Sequence, residues 1–247
     1  MTNKGVVKFR ASIKGNGLKF TPVDFNPGET GIEKIEIESP NGAEIQATVY
    51  ISAVTTDENA RVIATRLITS VLDRLSFIHN LAIGPSSITS SILTPLDMQP
   101  SEMVHIHTAD TLIFGGEVTA IASISSSTIK GALECGTYPG ENWYGLFRSA
   151  LQSESPVEKY MHLYNILLTL SNDEQKQVDE FVRDQEPMVF QSPHPKFVGT
   201  METIYSRLRN EFAHKRSGVN INDTKVAMAQ RWINLAALTK RAIELHP

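Results

Sequence analysis

Residues 137–151 read TYPGENWYGLFRSAL, and the periodicity of the chain changes within them. Before this stretch, apolar residues alternate with polar ones, a pattern typical of strands with one buried face. After it, apolar residues recur at helical spacing, beginning with Trp143, Leu146 and Phe147. A Pro-Gly pair at residues 139–140 is a turn signal that marks the break between the two patterns.

This change of period predicts two domains in a protein of the α+β class. We expect residues 1–137 to form a mixed α/β domain with one long helix. We expect residues 138–247 to form an all-α bundle of four to five helices, because every apolar pattern beyond the break is helical.

In the first domain, Val7, Phe9, Ala11 and Ile13 alternate with polar residues and predict a half-buried strand. Further strands are predicted at residues 32–38, 45–51, 88–93, 102–107 and 117–129, with a turn at Pro40-Asn41-Gly42. A serine-rich tract at residues 123–127 is interpreted as the polar face of the last strand.

Helical spacing predicts the long helix of the first domain at about residues 57–81. Thr55, Thr56 and Asp57 are the candidates for its N-cap, because their side-chain oxygens can accept from free backbone N–H groups.

In the second domain, five apolar stripes predict five helices. Ser171-Asn172-Asp173-Glu174 is typical of a capping box and predicts that the third helix covers residues 173–184. A stripe that begins at Met201 and ends before Gly218 predicts the fourth helix. Asp223 is the predicted cap of the fifth, and Trp143 and Trp232 are predicted core residues.

The composition is that of an ordinary globular chain with a net charge of −4. The acidic excess lies before residue 138, so any contact with nucleic acid requires a local basic patch. The single cysteine, Cys135, excludes a disulfide within the chain and suits a reducing compartment. With no apolar signal core or membrane-spanning stretch in the sequence, we expect a cytoplasmic protein that has no membrane partner.

The densest basic patch lies where the fourth helix is predicted to end. Arg209, Asn210 and His214 stand within six residues there, and Arg207, Lys215 and Arg216 flank them. An arginine binds phosphate through two parallel hydrogen bonds, and a histidine transfers protons near neutral pH. Because residues five apart on a helix point about 140° apart, Arg209 and His214 are predicted to converge only if the helix loosens or a second chain contributes one of them.

A helical bundle that ends in Arg-polar-x-x-x-His resembles the HEPN superfamily, the higher eukaryotes and prokaryotes nucleotide-binding domains. In that family an arginine is followed after four to six residues by a histidine, often with an asparagine directly after the arginine. Arg209, Asn210 and His214 match this motif with its shortest spacing. The resemblance covers residues 140–246.

The resemblance implies a homodimer with a cleft lined by arginine and histidine from both chains. It also implies a metal-independent endoribonuclease that leaves 2′,3′-cyclic phosphate ends and needs no cofactor. His214 would transfer the proton, Arg209 would stabilise the phosphate charge, and Asn210 would orient the phosphate. Arg207, Lys215 and Arg216 would bind RNA or nucleotide phosphates.

The two-part layout is also similar to the methylamine-utilisation protein J family. This resemblance suggests a non-catalytic interaction or accessory protein, for example in amine utilisation. The zero net charge of residues 138–247 favours that alternative, since RNA affinity rests on many basic contacts. Helix capping by His214, with Arg209 reaching a carboxylate across the bundle, explains the motif without any ligand.

Other candidate sites are weaker. His105 and His107 lie two apart on a predicted strand, near Glu102 and Asp110, but no further metal ligand is identifiable, so no metal site is predicted. Cys135 is interpreted as a small buried residue.

Overall fold

The computed structural model of the chain describes residues 2–96, 118–134, 140–214, 216 and 218–246. The chain folds into two compact units, Met1–Thr137 and Tyr138–Pro247. The first contains a sheet with two helices and the second is largely helical, so the predicted α+β class is confirmed. The strand predicted at residues 102–107 and the side chain of Cys135 lie outside the described residues.

One long strand organises the sheet of the first unit. Residues 3–12 of this strand pair with the third strand on one side and the fifth on the other. The strand then pairs with the fourth, runs parallel to the sixth, and ends antiparallel to the second. The strands are β1 (Asn3–Phe25), β2 (Ile32–Ser39), β3 (Glu44–Val54), β4 (Ala82–Ile83), β5 (Ser87–Pro95) and β6 (Val118–Ser123).

The alternation in β1 is confirmed, because Val7, Phe9, Ala11 and Ile13 are all buried. The two helices of this unit, α1 (Asp57–His79) and α2 (Ser126–Glu134), contribute to the same apolar core. The helical residues of the core are Ala60, Ala64, Ile68, Val71, Leu72, Leu75, Ile129 and Leu133. The opposite face of β1, β2 and β3 carries polar side chains.

Two local signals in the first unit act as predicted. Thr56 caps α1, and its side chain accepts a hydrogen bond from the backbone N–H of Asn59 at 3.2 Å. The turn between β2 and β3 falls at residues 40–43, where Gly42 has a φ of 76°. A Cβ atom on Gly42 would lie 2.7 Å from the Ile121 side chain, so both the backbone conformation and the close approach require glycine.

The strand predicted at residues 117–129 is wrong in its second half. β6 ends at Ser123, residues 119–123 are all exposed without alternation, and α2 begins at Ser126. The Ser125 hydroxyl accepts from the backbone N–H of Thr128 at 3.2 Å and therefore caps the new helix. The serine-rich tract is a helix start and not the polar face of a strand.

Five α-helices lie within the described residues of the second unit, and α4 packs against α3 and α7. A short 3-10 helix at Glu141–Trp143 and a two-stranded hairpin accompany them. The elements are α3 (Tyr144–Gln152), α4 (Pro156–Leu170), α5 (Gln175–Gln185), β7 (Gln191–Pro193), β8 (Met201–Thr203), α6 (Ile204–His214) and α7 (Ile221–Leu245).

The predicted capping box at residues 171–174 is wrong, because these residues end α4. The Ser171 backbone N–H bonds to the carbonyl of Leu167 at 3.0 Å, and the backbones of Asn172 and Asp173 are left-handed, so α5 begins only at Gln175. The cap predicted for the fifth helix is also wrong, because Asn220, and not Asp223, caps α7.

Two further predictions for the second unit need correction. Residues 201–203 pair in the hairpin, so the fourth predicted helix starts at Ile204 and not at Met201. Trp143 and Trp232 are only half-buried and are not core residues.

We predict that Leu163→Ala lowers the free energy of unfolding of the second unit by about 2–5 kcal/mol, because Leu163 is fully buried in α4. Both tryptophans lie in this unit, so intrinsic fluorescence in a urea titration follows it selectively. Leu245→Ala is the matched control, since Leu245 is 54% exposed, and it should change the free energy by less than about 0.5 kcal/mol. Equal shifts for the two variants would contradict the assigned packing.

Candidate functional site

Helix α6 carries the Arg-Asn-x-x-x-His motif directly after the β7–β8 hairpin. Its inner face packs into the bundle through Ile204, Tyr205 and Leu208, all of which are buried. Arg209 lies at the border of this face and is half-buried, whereas His214, the last helical residue, is exposed.

Arg209 and His214 meet within one chain. The Nη1 atom of Arg209 lies 3.5 Å from Nε2 of His214. The helix runs unbroken from Ile204 to His214, so the expectation that it must loosen, or that a second chain must supply one partner, is wrong. The two positions are separated by a rise of about 7.5 Å along the helix, and the long arginine side chain spans this distance. The angle of about 140° between the two positions does not take the length of the side chain into account.

Contacts with neighbouring residues fix the Arg209 guanidinium. Nη1 donates to Oδ1 of Asn210 at 3.0 Å, and the guanidinium carbon lies 5.9 Å from the centre of the Tyr164 ring. Its Nε is buried and has no hydrogen-bond partner among the described residues. Arg209 forms no ion pair with a carboxylate in this part of the chain, so its charge is available to an anionic ligand.

Asn210 faces inward and is 4% exposed. Its Nδ2 donates to Oε1 of Gln175 at 2.8 Å and to Oε2 of Glu202 at 3.3 Å. Since its Oδ1 accepts from Arg209, both ends of the amide are occupied within the chain. Asn210 therefore links Arg209 to the interior of the bundle.

Glu202 of β8 is the interior end of this linkage, and the sequence patterns did not single it out. Its side chain has a relative exposure of 1%, and Arg216 forms two hydrogen bonds with its carboxylate, one of which spans 2.8 Å. The hydrogen bonds to Glu202 raise the pKa of Arg216 further above its ordinary value. An acidic residue inside an apolar stripe, between Met201 and Ile204, was the signal that could have revealed it.

The flanking cations are less available than the sequence suggested. Arg207 pairs with Glu211 on the same helix, with Nε 3.1 Å from Oε1 but poorly aligned for a hydrogen bond. Its guanidinium also lies 5.4 Å from the centre of the Phe190 ring. Arg216 is neutralised by Glu202, and Lys215 lies outside the described residues.

Three tyrosines pack beneath the site. The hydroxyl of Tyr160 donates to the carbonyl of Tyr205 at 2.8 Å, and the hydroxyl of Tyr164 shares a hydrogen bond of 2.8 Å with Ser206. Burial raises the pKa of Tyr160, Tyr164 and Tyr205 well above the ordinary range of a phenol. These hydroxyls therefore remain protonated and structural near neutral pH.

A metal site at a pair of histidines and a membrane-spanning segment were also considered from the sequence. His105, His107, Glu102 and Asp110 lie outside the described residues. Within the described part of the chain, no group of three His, Cys, Asp or Glu residues is placed to hold a metal ion. No described helix is long and apolar enough to cross a membrane.

A family model described as methylamine utilization protein MauJ matches residues 143–244, which is less than half of the chain. The match confirms the predicted resemblance to that family over the helical unit. It does not show membership of the HEPN superfamily. No curated protein and no solved structure matches the chain.

We predict that Glu202→Gln lowers the free energy of unfolding by about 3 kcal/mol, because the change leaves the Arg216 guanidinium without its buried counter-charge. Urea titration by tryptophan fluorescence measures the effect. The matched control is Glu180→Gln, which removes an exposed ion pair with Lys176 and should cost less than about 0.5 kcal/mol. A Glu202→Gln variant as stable as this control would argue against a desolvated pair.

We also predict that the stability of the second unit falls as the pH rises above about 10, where unfolded tyrosines ionise. The folded-state pKa of Tyr160, Tyr164 and Tyr205 is raised, so the unfolded chain binds fewer protons at alkaline pH and the free energy of unfolding decreases. Thermal unfolding measured from about pH 8 to pH 11 tests this, and Tyr164→Phe should reduce the slope. An unfolding temperature that does not change over this range would contradict it.

Proposed function

We propose that the helical unit is a HEPN-like module that binds the phosphate backbone of RNA or a nucleotide through Arg209 and His214, and that this pair cleaves RNA without a metal ion. The observation that carries the proposal is the exposed contact of 3.5 Å between the two side chains. It joins a permanent cation to a group that transfers protons near neutral pH.

The neighbouring charges support Arg209 as the phosphate-binding residue. Arg207 and Arg216 are both engaged by carboxylates, whereas the contacts of Arg209 within the described residues are with Asn210, the Tyr164 ring and His214, none of which is a carboxylate. An arginine that is not paired with a carboxylate keeps its charge for a ligand, and its contacts orient it before the ligand arrives. We assign Asn210 the role of orienting Arg209. Asn210 thereby orients the phosphate indirectly, through Arg209.

The cleavage step follows from these positions. His214 takes the proton from the ribose 2′-hydroxyl, the 2′-oxygen forms a bond to phosphorus, and the bond from phosphorus to the 5′-oxygen breaks. The leaving 5′-oxygen takes up a proton, from water or from His214 of a second copy in a homodimer. Arg209 stabilises the additional negative charge on the phosphate oxygens. The products are a 2′,3′-cyclic phosphate and a 5′-hydroxyl.

A second candidate function is a non-catalytic accessory role, in line with the similarity of residues 143–244 to the MauJ family. The neutralisation of Arg207 and Arg216 favours it, since RNA affinity rests on several free cations and these two are occupied. In this function Arg209 and His214 contact a partner protein, and RNA is neither bound nor cleaved.

We predict that the wild-type protein cleaves single-stranded RNA in EDTA and that His214→Ala lowers the rate by about 10²–10⁴-fold, the usual contribution of a general acid or base. Denaturing gels with analysis of the RNA ends measure the rate and identify the cyclic phosphate. His162→Ala is the matched control, because His162 is also exposed on a helix but lies on α4.

If the wild-type protein does not cleave RNA, a measurement of RNA binding distinguishes the two functions. If the site binds phosphate, Arg209→Met weakens binding of a fluorescent RNA oligonucleotide, and Arg241→Met, an exposed arginine of α7, does not. Wild-type protein that neither binds nor cleaves RNA would contradict the first function and favour the accessory role.

A further inference from the structure

The outward face of the sheet in the first unit carries a cavity of about 280 Å³ that is independent of the function proposed for α6. It lies over the neighbouring strands β1, β3 and β2. Its volume is near the lower end of small-molecule sites, which are about 300–1,000 Å³. The polar side chains that line it include Lys8, Arg10, Glu36, Glu38, Gln46 and Thr48.

The register of the strands arranges opposite charges at the two sides of this cavity. Arg10 of β1 lies opposite Gln46 of β3, and Gln46 lies opposite Glu38 of β2. The basic strand and the acidic strand are therefore separated by a neutral strand. Opposite charges neutralise each other most readily when they are direct cross-strand neighbours. Arg10 and Glu38 are not, because Gln46 lies between them.

The next row of the sheet repeats this order. Lys8 lies opposite Thr48, and Thr48 lies opposite Glu36. Two cations thus line one side of the cavity and two carboxylates line the other, with an amide and a hydroxyl between them. A ligand that complements this face carries a negative and a positive charge at opposite ends.

One charged group on each side of the cavity, Lys8 and Glu38, has no partner within the described residues: they form no ion pair and no side-chain hydrogen bond. Arg10 approaches a carboxylate only through Nε, which lies 3.9 Å from Glu44, so its two outer nitrogens are outside that contact. Glu36 is engaged, since it accepts a hydrogen bond from Tyr50 at 3.1 Å and forms an ion pair of 3.5 Å with Lys34.

The spacing of the strands sets the length of the ligand. Neighbouring strands lie about 4.8 Å apart, so the side chains of β1 and β2 rise from positions about 10 Å apart. Charge-assisted hydrogen bonds of about 2.8 Å at each end leave about 4 Å between the two charged groups of a bridging ligand. This separation matches the carboxylate and ammonium groups of a small amino acid.

We propose that this face of the sheet binds a small amino acid as a zwitterion. Arg10 and Lys8 bind its carboxylate, Glu38 binds its ammonium group, and Gln46 lies beneath the chain that joins them.

Isothermal titration of the full chain with β-alanine and with γ-aminobutyrate tests the proposal. Propionate and propylamine each carry one of the two charges and serve as ligand controls. We expect saturable binding of at least one amino acid, and binding of either single-charge compound that is weaker by about tenfold or more, since each lost hydrogen bond to a charged group reduces affinity to that extent.

Two variants remove one charge each without disturbing a described contact. Lys8→Met and Glu38→Gln should each weaken amino-acid binding by about tenfold or more. Lys19→Met and Glu58→Gln are the matched controls, because both residues are exposed and lie outside the cavity, and they should leave the affinity unchanged. Amide chemical-shift changes in the wild-type protein should fall on β1, β2 and β3.

Three results would overturn the proposal. These are no saturable binding of either amino acid, equal affinity for propionate alone, and shift changes located away from the three strands. Circular dichroism verifies that the variants are folded. Because the site lies in the first unit and its readout is not RNA cleavage, its failure leaves the function of Arg209 and His214 untouched.

Discussion

Removing the Glu202 carboxylate from water has an energetic cost that neighbouring donors must offset, and the arrangement of the α6 site follows from this requirement. Arg216 supplies two hydrogen bonds to the carboxylate, and the Asn210 amide supplies a third. With its nitrogen turned toward Glu202 and Gln175, Asn210 presents its oxygen to Arg209. Glu202 therefore determines the orientation of Arg209 through Asn210, without contacting Arg209 itself. The same desolvated charge also explains why Arg216, a basic residue of the motif region, is engaged inside the chain.

The parts of the fold that sequence could predict are those governed by local periodicity. The alternation in β1 matches one buried face, and Tyr160, Tyr164 and Leu167 of the apolar stripe in α4 are buried, so period alone identifies both elements. The apolar residues of α7 do not all share a buried face, since Ile233 is 58% exposed. Two sequence patterns that are compatible with more than one local structure led to wrong predictions. Hydroxyl side chains at residues 123–127 suit an exposed strand face, but Ser125 caps a helix. Residues 171–174 contain the side chains that open a helix, but left-handed Asn172 and Asp173 close one.

At the candidate site, the sequence identified the residues of α6 but not their partners. The contact between Arg209 and His214 depends on the length of an arginine side chain, which a helical wheel does not represent. Glu202 precedes Arg216 by fourteen residues, and their pairing exists only because β8 and the chain after α6 come together in the bundle. Counting charges along the sequence therefore overestimated the free positive charge. Of the three described arginines in this region, Arg207 and Arg216 are paired with carboxylates and Arg209 is not.

The parallel pairing of β1 with β6 has a consequence for the order of events during synthesis. Gly15 pairs with Val118, so about a hundred residues must be made before this part of β1 finds its partner. Contacts of such large sequence separation carry a high loop-closure entropy and slow folding. At about 5–20 residues per second, the ribosome leaves this edge of β1 unpaired for roughly 5–20 s. An unpaired strand edge is a template for association with other chains, so this interval is when the nascent protein most needs protection from aggregation.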